Sequence, residues 1–340
     1  MSDASRPGDT MRERVPDGRV KLWLLLGASR ISVVAVLLGV IFVVVVGVGV
    51  LRPGFPTGGD PIETLGQAYV TAIITGVTLV VTISQVVLSQ ELGAVGDQRE
   101  RMAEATAFRS DVADAVDAPV APPEPSAFLR ALVEATADRA TTLREAVDDA
   151  EDERLRTRAT DYAESIGENA DSVGAALDGA QFGTFAVLYA ALDFNYSWKI
   201  YEGRRLRHEH ADAMPAEAED ALDGLVETLE FFGPAREHFK TLYFQWELIN
   251  LSRVMLYAAA PALLVAASMV LFLDGVTVVG RTAGVSNLLW VVAGASAVAS
   301  LPFAVFGAYV LRILTVAKRT LAIGPFVLRA TQRTDDIDWE

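Results

Sequence analysis

Eight side chains in one segment have the types and spacing for ion or water chemistry: Thr64, Gln67, Thr71, Thr75, Thr78, Thr82, Gln85 and Ser89. They follow one another at intervals of 3, 4, 4, 3, 4, 3 and 4 residues. On an α-helix those intervals draw a single stripe. The residues between are Val, Ile, Leu, Ala and Gly, with Tyr69 and Ser84 the exceptions. Hydroxyl and amide oxygens in a row can bond a neighbouring helix, line a pore in a symmetric oligomer, or line a pocket for a lipid or small molecule. Turned toward hydrocarbon the stripe is unfavourable, most clearly for the Gln85 amide, so it should face protein or water. Thr71, Thr75, Thr78, Thr82, Gln85 and Ser89 are therefore the candidate pore-lining or interhelical residues.

No other constellation offers chemistry of comparable reach. The chain has no cysteine, which excludes disulfides, thiolate metal sites and cysteine nucleophiles. Its three histidines are His208, His210 and His238. The first two are two residues apart, so on a helix they point to different faces and make a poor zinc pair. Gly93-Ala-Val-Gly-Asp97 contains glycines but lacks the strand and phosphate-binding context of a P-loop. No paired carboxylates or Ser-His-Asp arrangement can be assembled. The expectation is a protein with no catalytic residues, no cofactor and no metal, and not an enzyme.

The elements that would carry the stripe are membrane spans. Four apolar runs lie at about residues 31–51, 68–89, 254–273 and 286–311, and none contains Asp, Glu, Lys or Arg. The first has 21 residues, about 31 Å of helix and one hydrocarbon thickness. Unbroken apolar runs lack the alternation of a barrel strand, so the spans are helices. The first run is too long for a cleaved signal peptide. Span four has its own line of small residues, Ser296, Ser300, Ala304 and Gly307, suited to helix packing, and Pro302 should kink it or loosen its hydrogen bonding.

Arginine and lysine counts set the expected orientation. Residues 1–30 hold six, the loop 52–67 only Arg52, the loop 274–285 only Arg281, and residues 312–340 five. Arg99, Arg101 and Arg253 flank the membrane ends of the long middle segment. Both termini and that segment should be cytoplasmic, in a multi-pass plasma-membrane protein. Tyr69 and Trp290 then fall at the outer interface and Trp23 at the inner one.

The division that follows has five parts: an N-terminal flank (1–30), spans one and two (31–90), an acidic cytoplasmic helical domain (91–253), spans three and four (254–311), and a C-terminal tail (312–340). The fold class is all-α, with a helical-bundle or coiled-coil insert between the second and third spans. Within 91–252 there are 33 acids against 15 bases, a net charge of −18. Such a surface disfavours nucleic acid and suits solubility or a basic protein partner. Ala118–Phe128 holds four prolines and reads as an extended linker, with Ser126 a candidate cap for the helix after it. From there to about Asp178 the pattern is one long amphipathic helix, either in a bundle or projecting as a coiled coil. Phe182, Phe185, Tyr189, Leu192 and Tyr196 share one face of a further helix. Gly233-Pro234 should break the chain, after which a helix runs unbroken into span three.

An acidic, alanine-rich chain with only four lysines resembles a halophilic archaeal proteome in composition. With the junction Ile83-SQVVLSQELGAVGDQRER-Met102, it resembles uncharacterised haloarchaeal multi-pass membrane proteins. That resemblance implies no activity and carries over no functional residue. The functional expectation is an oligomeric, passive, channel-like protein with a cytoplasmic regulatory bundle. The alternative is a membrane-anchored interaction or sensory module whose acidic bundle binds a cytoplasmic protein. Membrane lipid and further copies of the chain are the expected partners.

Overall fold

The computed structural model describes residues 28–52, 59–91, 93–181, 183, 185–273 and 278–319. Its helices are α1 (Arg30–Leu51), α2 (Gly59–Glu91), α3 (Val95–Ala115), α4 (Pro125–Ala146), α5 (Glu153–Leu177), α6 (Phe185–Leu192), α7 (Tyr196–Glu209), α8 (Ala216–Phe272), α9 (Asn287–Ala299) and α10 (Leu301–Arg319). The strands β1 (Arg281–Thr282) and β2 (Val285–Ser286) form a two-residue antiparallel pair before α9. The chain divides into two compact units. One is built on Gly93–Phe244, the other on Asp17–Leu92 with Gln245–Lys318. Expectations for Trp23, Phe182, most of the two terminal flanks and positions 53–58 of the first loop lie outside the described residues.

In the second unit α1, α2 and α8 are each long and apolar enough to cross a membrane. The bent pair α9–α10 makes a fourth span if counted as one. Ser29 starts α1, its hydroxyl accepting from the Ser32 N–H at 3.1 Å. The bend between α9 and α10 is 45°. Pro302 accounts for it as expected: with no N–H it leaves the helical ladder open at the turn around Ser300.

The packing seam of this unit is an alanine line on α8. Ala258, Ala262 and Ala266 recur every fourth residue and are buried against Ile73 and Val80 of α2 and Ala299 of α9. Small residues let helix backbones approach where lipid removes the hydrophobic drive for association. Gly66 completes the seam: a Cβ there would lie 2.8 Å from Val270 Cγ2 and 3.1 Å from the Ala266 carbonyl. Gly93-Ala94 is non-helical, and α3 starts directly after it at Val95.

The other unit is a helical bundle around one apolar core. Leu129, Leu132 and Leu143 of α4, Leu155, Ile166 and Val173 of α5, and Leu222, Leu225 and Leu229 of α8 are buried together. The Pro-rich linker is non-helical, as expected, but α4 begins on Pro125 with Glu124 before it, and Ser126 is buried inside the helix and caps nothing. Proline fits the first turn because its missing N–H would be unpaired there. The single long helix expected over 126–178 is two helices, broken at 147–152. Val147, Ala150 and Leu155 are buried at the turn, and Asp152 starts α5 by accepting the Arg154 and Leu155 N–H groups.

Two further expectations are corrected. The aromatic segment is not one helix: Asp193–Asn195 separates α6 from α7. Phe194 is fully buried in that break, its ring tilted against Phe232 with centroids 4.7 Å apart, and Asn169 holds the turn by donating to the Asp193 carbonyl. Pro234 does not end the helix. α8 continues through it, with Gly233 leaving room for the Tyr196 ring, whose Cε2 would lie 3.0 Å from an added Cβ.

Candidate functional site

Every residue of the predicted stripe is exposed on the chain: Thr64, Gln67, Thr71, Thr75, Thr78, Thr82, Gln85 and Ser89. The opposite face of α2, with Ile62, Gly66, Ile73 and Val80, is the buried one. That division follows from the sequence, because the branched and small residues that fit the α8 alanines fall one third to half a turn from the hydroxyls. In the small-residue line of span four Ser296, Ser300 and Ala304 are buried and Gly307 is half-buried. It meets other surfaces than the stripe. Ser300 donates to the Tyr69 hydroxyl at 3.3 Å, and Gly307 faces Leu37.

The stripe hydroxyls share one orientation. Thr75 donates to the Thr71 carbonyl at 2.8 Å, Thr78 to Ile74 at 2.9 Å, Thr82 to Thr78 at 2.9 Å, and Ser89 to Val86 at 2.7 Å. Each proton is turned into the helix, so oxygen lone pairs point outward. Gln67 is held by the Glu63 carboxylate at 3.0 Å. Thr64, Gln67, Thr71 and Thr75, with Phe303, line a shallow, wide-open groove of about 740 Å³. From Thr64 to Ser89 the stripe is about 38 Å long, the depth of a bilayer. The Ser84-Gln85 pair divides its work: Ser84 is half-buried and hydrogen-bonds the Ser252 hydroxyl on α8, while Gln85 beside it is exposed.

One polar cluster escaped the sequence reading. Arg30, at the start of α1, pairs with Glu247 of α8 at 2.5 Å, and its guanidinium lies 4.3 Å from the centre of the Tyr309 ring on α10. Glu247 is buried. A buried carboxylate costs several kcal/mol unless paired, so this contact ties three helices to one arrangement. A signal was present: Glu247 is the one acid between Glu237 and span three, in the aromatic and aliphatic run Leu242–Tyr257.

The helical unit carries a groove of about 660 Å³ under the Pro-rich linker. Phe108, Phe128 and Phe239 line it, with Phe128 and Phe239 edge to face at 5.8 Å. Arg109 on its wall donates to the Ala121 carbonyl at 2.7 Å, which pins the linker. The Gly-Arg-Arg-Leu-Arg segment is engaged in the protein, with Arg204 on Glu230, Arg205 on Glu209, and Arg207 on Glu219 and Asp223. Burial pushes the Glu209 carboxyl up, but the Arg205 hydrogen bond and the charges of Arg158 and Arg205 outweigh it and hold the group below the usual glutamate range. Among the described residues no group of three or more His, Asp or Glu is placed to hold a metal ion.

No curated protein and no solved structure gives a match to this chain. Over its whole length, residues 1–340, it matches one family, and so the chain belongs to a family of unknown function, DUF7972.

Proposed function

We propose that the chain is a homo-oligomeric membrane protein in which α2 of each copy faces its counterparts and lines a passive, channel-like path. Both termini and the acidic helical unit then lie on the cytoplasmic side of the plasma membrane, and the helical unit regulates the path. The observation that carries this reading is the exposure of the stripe along the full span while the opposite face of α2 is packed. The threonines alone could face lipid, since each satisfies its proton on its own backbone. The Gln85 amide could not do so without cost, and its presence favours water or a partner helix. Outward lone pairs suit water and cations better than anions. With no ionisable side chain on the central part of the stripe there is no evident proton relay, so permeation is passive.

Thr78→Cys tests the arrangement, because the chain has no cysteine of its own. In membranes it should cross-link between copies, and Gln85→Leu should change single-channel conductance of the reconstituted full chain. A monomer that never cross-links at position 78, or Gln85→Leu currents equal to those of the wild type, removes the reading.

A second reading is a membrane-anchored interaction module. The 660 Å³ aromatic groove and the −18 charge of residues 91–252 favour it. An oligomer that cross-links through position 78 yet passes no current would support this reading over the first.

A further inference from the structure

The first half of α3 is a helix without a packed face. All 13 residues from Val95 to Ala107 are exposed, whereas Val112 and Ala113 near the end of the same helix are buried in the bundle. A Cβ added at Gly96 meets nothing within 4 Å. An isolated helix of fewer than about 15 residues is marginal in water, and an internal glycine lowers its propensity further. Two large apolar side chains mark one face of this stretch. Val95 is 85% exposed and Met102 73%, and among the described residues of the helical unit only Val120 is a comparable case. Val95 and Met102 lie seven residues apart, two turns, so they share one stripe.

We propose that this stripe is a contact between copies of the chain, in which the first halves of α3 pair side by side and in parallel. The inference rests on the reading that α2 of each copy faces its counterparts. Only residues 92–94 lie between Glu91 and Val95, which limits the distance from the end of α2 to the start of α3 to about 14 Å. Copies gathered through α2 therefore hold their α3 starts near one another, on the same side of the membrane and at high effective concentration.

The sequence of the stretch fits a parallel pairing. With Val95 and Met102 at the first inward position of a seven-residue repeat, Gln98 and Ala105 take the second, and Asp97, Glu100 and Glu104 all fall on outward positions. Ala94, Arg99, Arg101 and Thr106 flank the seam. In parallel register Arg99 of one copy meets Ala94 of the next, and Arg101 meets Thr106, so the seam brings no like charges together. A membrane surface suits the stretch less. Five of its 13 residues are charged, three acids against two arginines, and anionic headgroups repel that balance. A different protein would lack the tether that α2 supplies.

The test places single cysteines in the full chain in membranes, since the chain has none of its own. Under mild oxidation Met102→Cys should cross-link copies at least tenfold more than Glu100→Cys, which lies on the opposite side of α3. Val95→Cys should cross-link as well, and adding Met102→Glu to it should lower that product severalfold. Thr78→Cys is oxidised alongside. If Thr78→Cys cross-links and Met102→Cys gives no more product than Glu100→Cys, the α3 contact is overturned and the α2 reading stands. If Met102→Cys cross-links and Thr78→Cys does not, the α3 contact stands and copies do not meet through α2. Silence at both positions overturns both. Reaction of Met102→Cys with a lipid-confined thiol reagent, in place of cross-linking, assigns the stripe to the bilayer and also overturns the proposal.

Discussion

A methyl group at Gly66 should separate α2 from α8. The Cβ of an alanine there would lie 2.8 Å from Val270 Cγ2, 3.1 Å from the Ala266 carbonyl oxygen and 3.2 Å from Met269 Cβ. Ordinary contact between carbons needs about 3.5–4.0 Å. The Val270 methyl can rotate, but the Ala266 oxygen and Met269 Cβ move only with the backbone of α8. The helices must part by about 0.5 Å, which forfeits a quarter or more of the attraction at each neighbouring contact. Overpacking of this kind costs about 1–3 kcal/mol. The effect is steric and does not depend on whether lipid or water surrounds the helices. Replacing glycine by alanine also favours the helix by up to about 1 kcal/mol, which works the other way. Gly47→Ala supplies the correction, since an added Cβ at Gly47 meets nothing within 4 Å. The difference between the two variants isolates the steric cost. Unfolding of the full chain by dodecyl sulfate, followed by circular dichroism, should place Gly66→Ala about 1–3 kcal/mol below Gly47→Ala. If Gly66→Ala is as stable as Gly47→Ala, that face of α2 is not packed on α8. The outward direction of the hydroxyl stripe then loses its basis.

Three further outcomes follow from the same structure. Tyr162→Phe removes the buried hydroxyl that donates to the Lys199 carbonyl at 2.7 Å and should destabilise the helical unit by about 1 kcal/mol, read from its melting transition. Burial, with the Glu202 charge second, holds this phenol above its usual range, so no tyrosinate absorbance from Tyr162 should appear on raising the pH to 11 while the protein stays folded. Glu209 titrates below its ordinary value when folded. Its contribution is therefore complete above the unfolded glutamate value of about 4.3 and is lost as the pH falls below it; the melting temperature should be level from pH 7 to 5 and fall below about pH 4, less steeply in Glu209→Gln. Pro302→Ala returns an N–H to the ladder between α9 and α10, and spin labels on the two helices should report a bend smaller than 45°; an unchanged distance would show that packing, not the proline, sets the bend.

The spans, the stripe and the unbroken entry of α8 into its span were legible because each depends on local periodicity. A 21-residue apolar run has few alternatives to a membrane helix, and intervals of 3 and 4 place residues on one face whatever surrounds them. Two of the breaks were harder, because they are held by tertiary contacts and contain neither glycine nor proline. Val147–Asp152 has neither glycine nor proline; it turns because Val147, Ala150 and Leu155 bury together and Asp152 caps the next helix. Phe194 draws Asp193–Asn195 out of the helical path by filling the space beside Phe232. The opposite error occurred at Gly233-Pro234, where strong breakers sit inside an intact helix because the Tyr196 ring needs the space above Gly233. The pairing of Arg30 with Glu247 was out of reach for a related reason: 217 residues separate two flanking charges that sequence alone assigns to the headgroup layer.

The contrast between α1 and α2 takes the oligomer argument one step further. Both are largely exposed on a single chain. Past Ser32, α1 carries only Val, Ala, Leu, Gly, Ile and Phe, so acyl chains can solvate it from every open side. α2 has less freedom, because its exposed face carries the Gln85 amide in line with the hydroxyls of Thr71, Thr75, Thr78 and Thr82. An assembly with α2 inside and α1 outside gives each helix the surroundings its side chains suit. An assembly with α1 at the centre would set an apolar rod against copies of itself and leave the Gln85 amide in hydrocarbon. Lipid-phase labelling decides between the two: Val43→Cys, on the exposed side of α1, should react, and Thr78→Cys should be protected. The reverse pattern would put α1 at the axis and remove the reason for reading the stripe as wet.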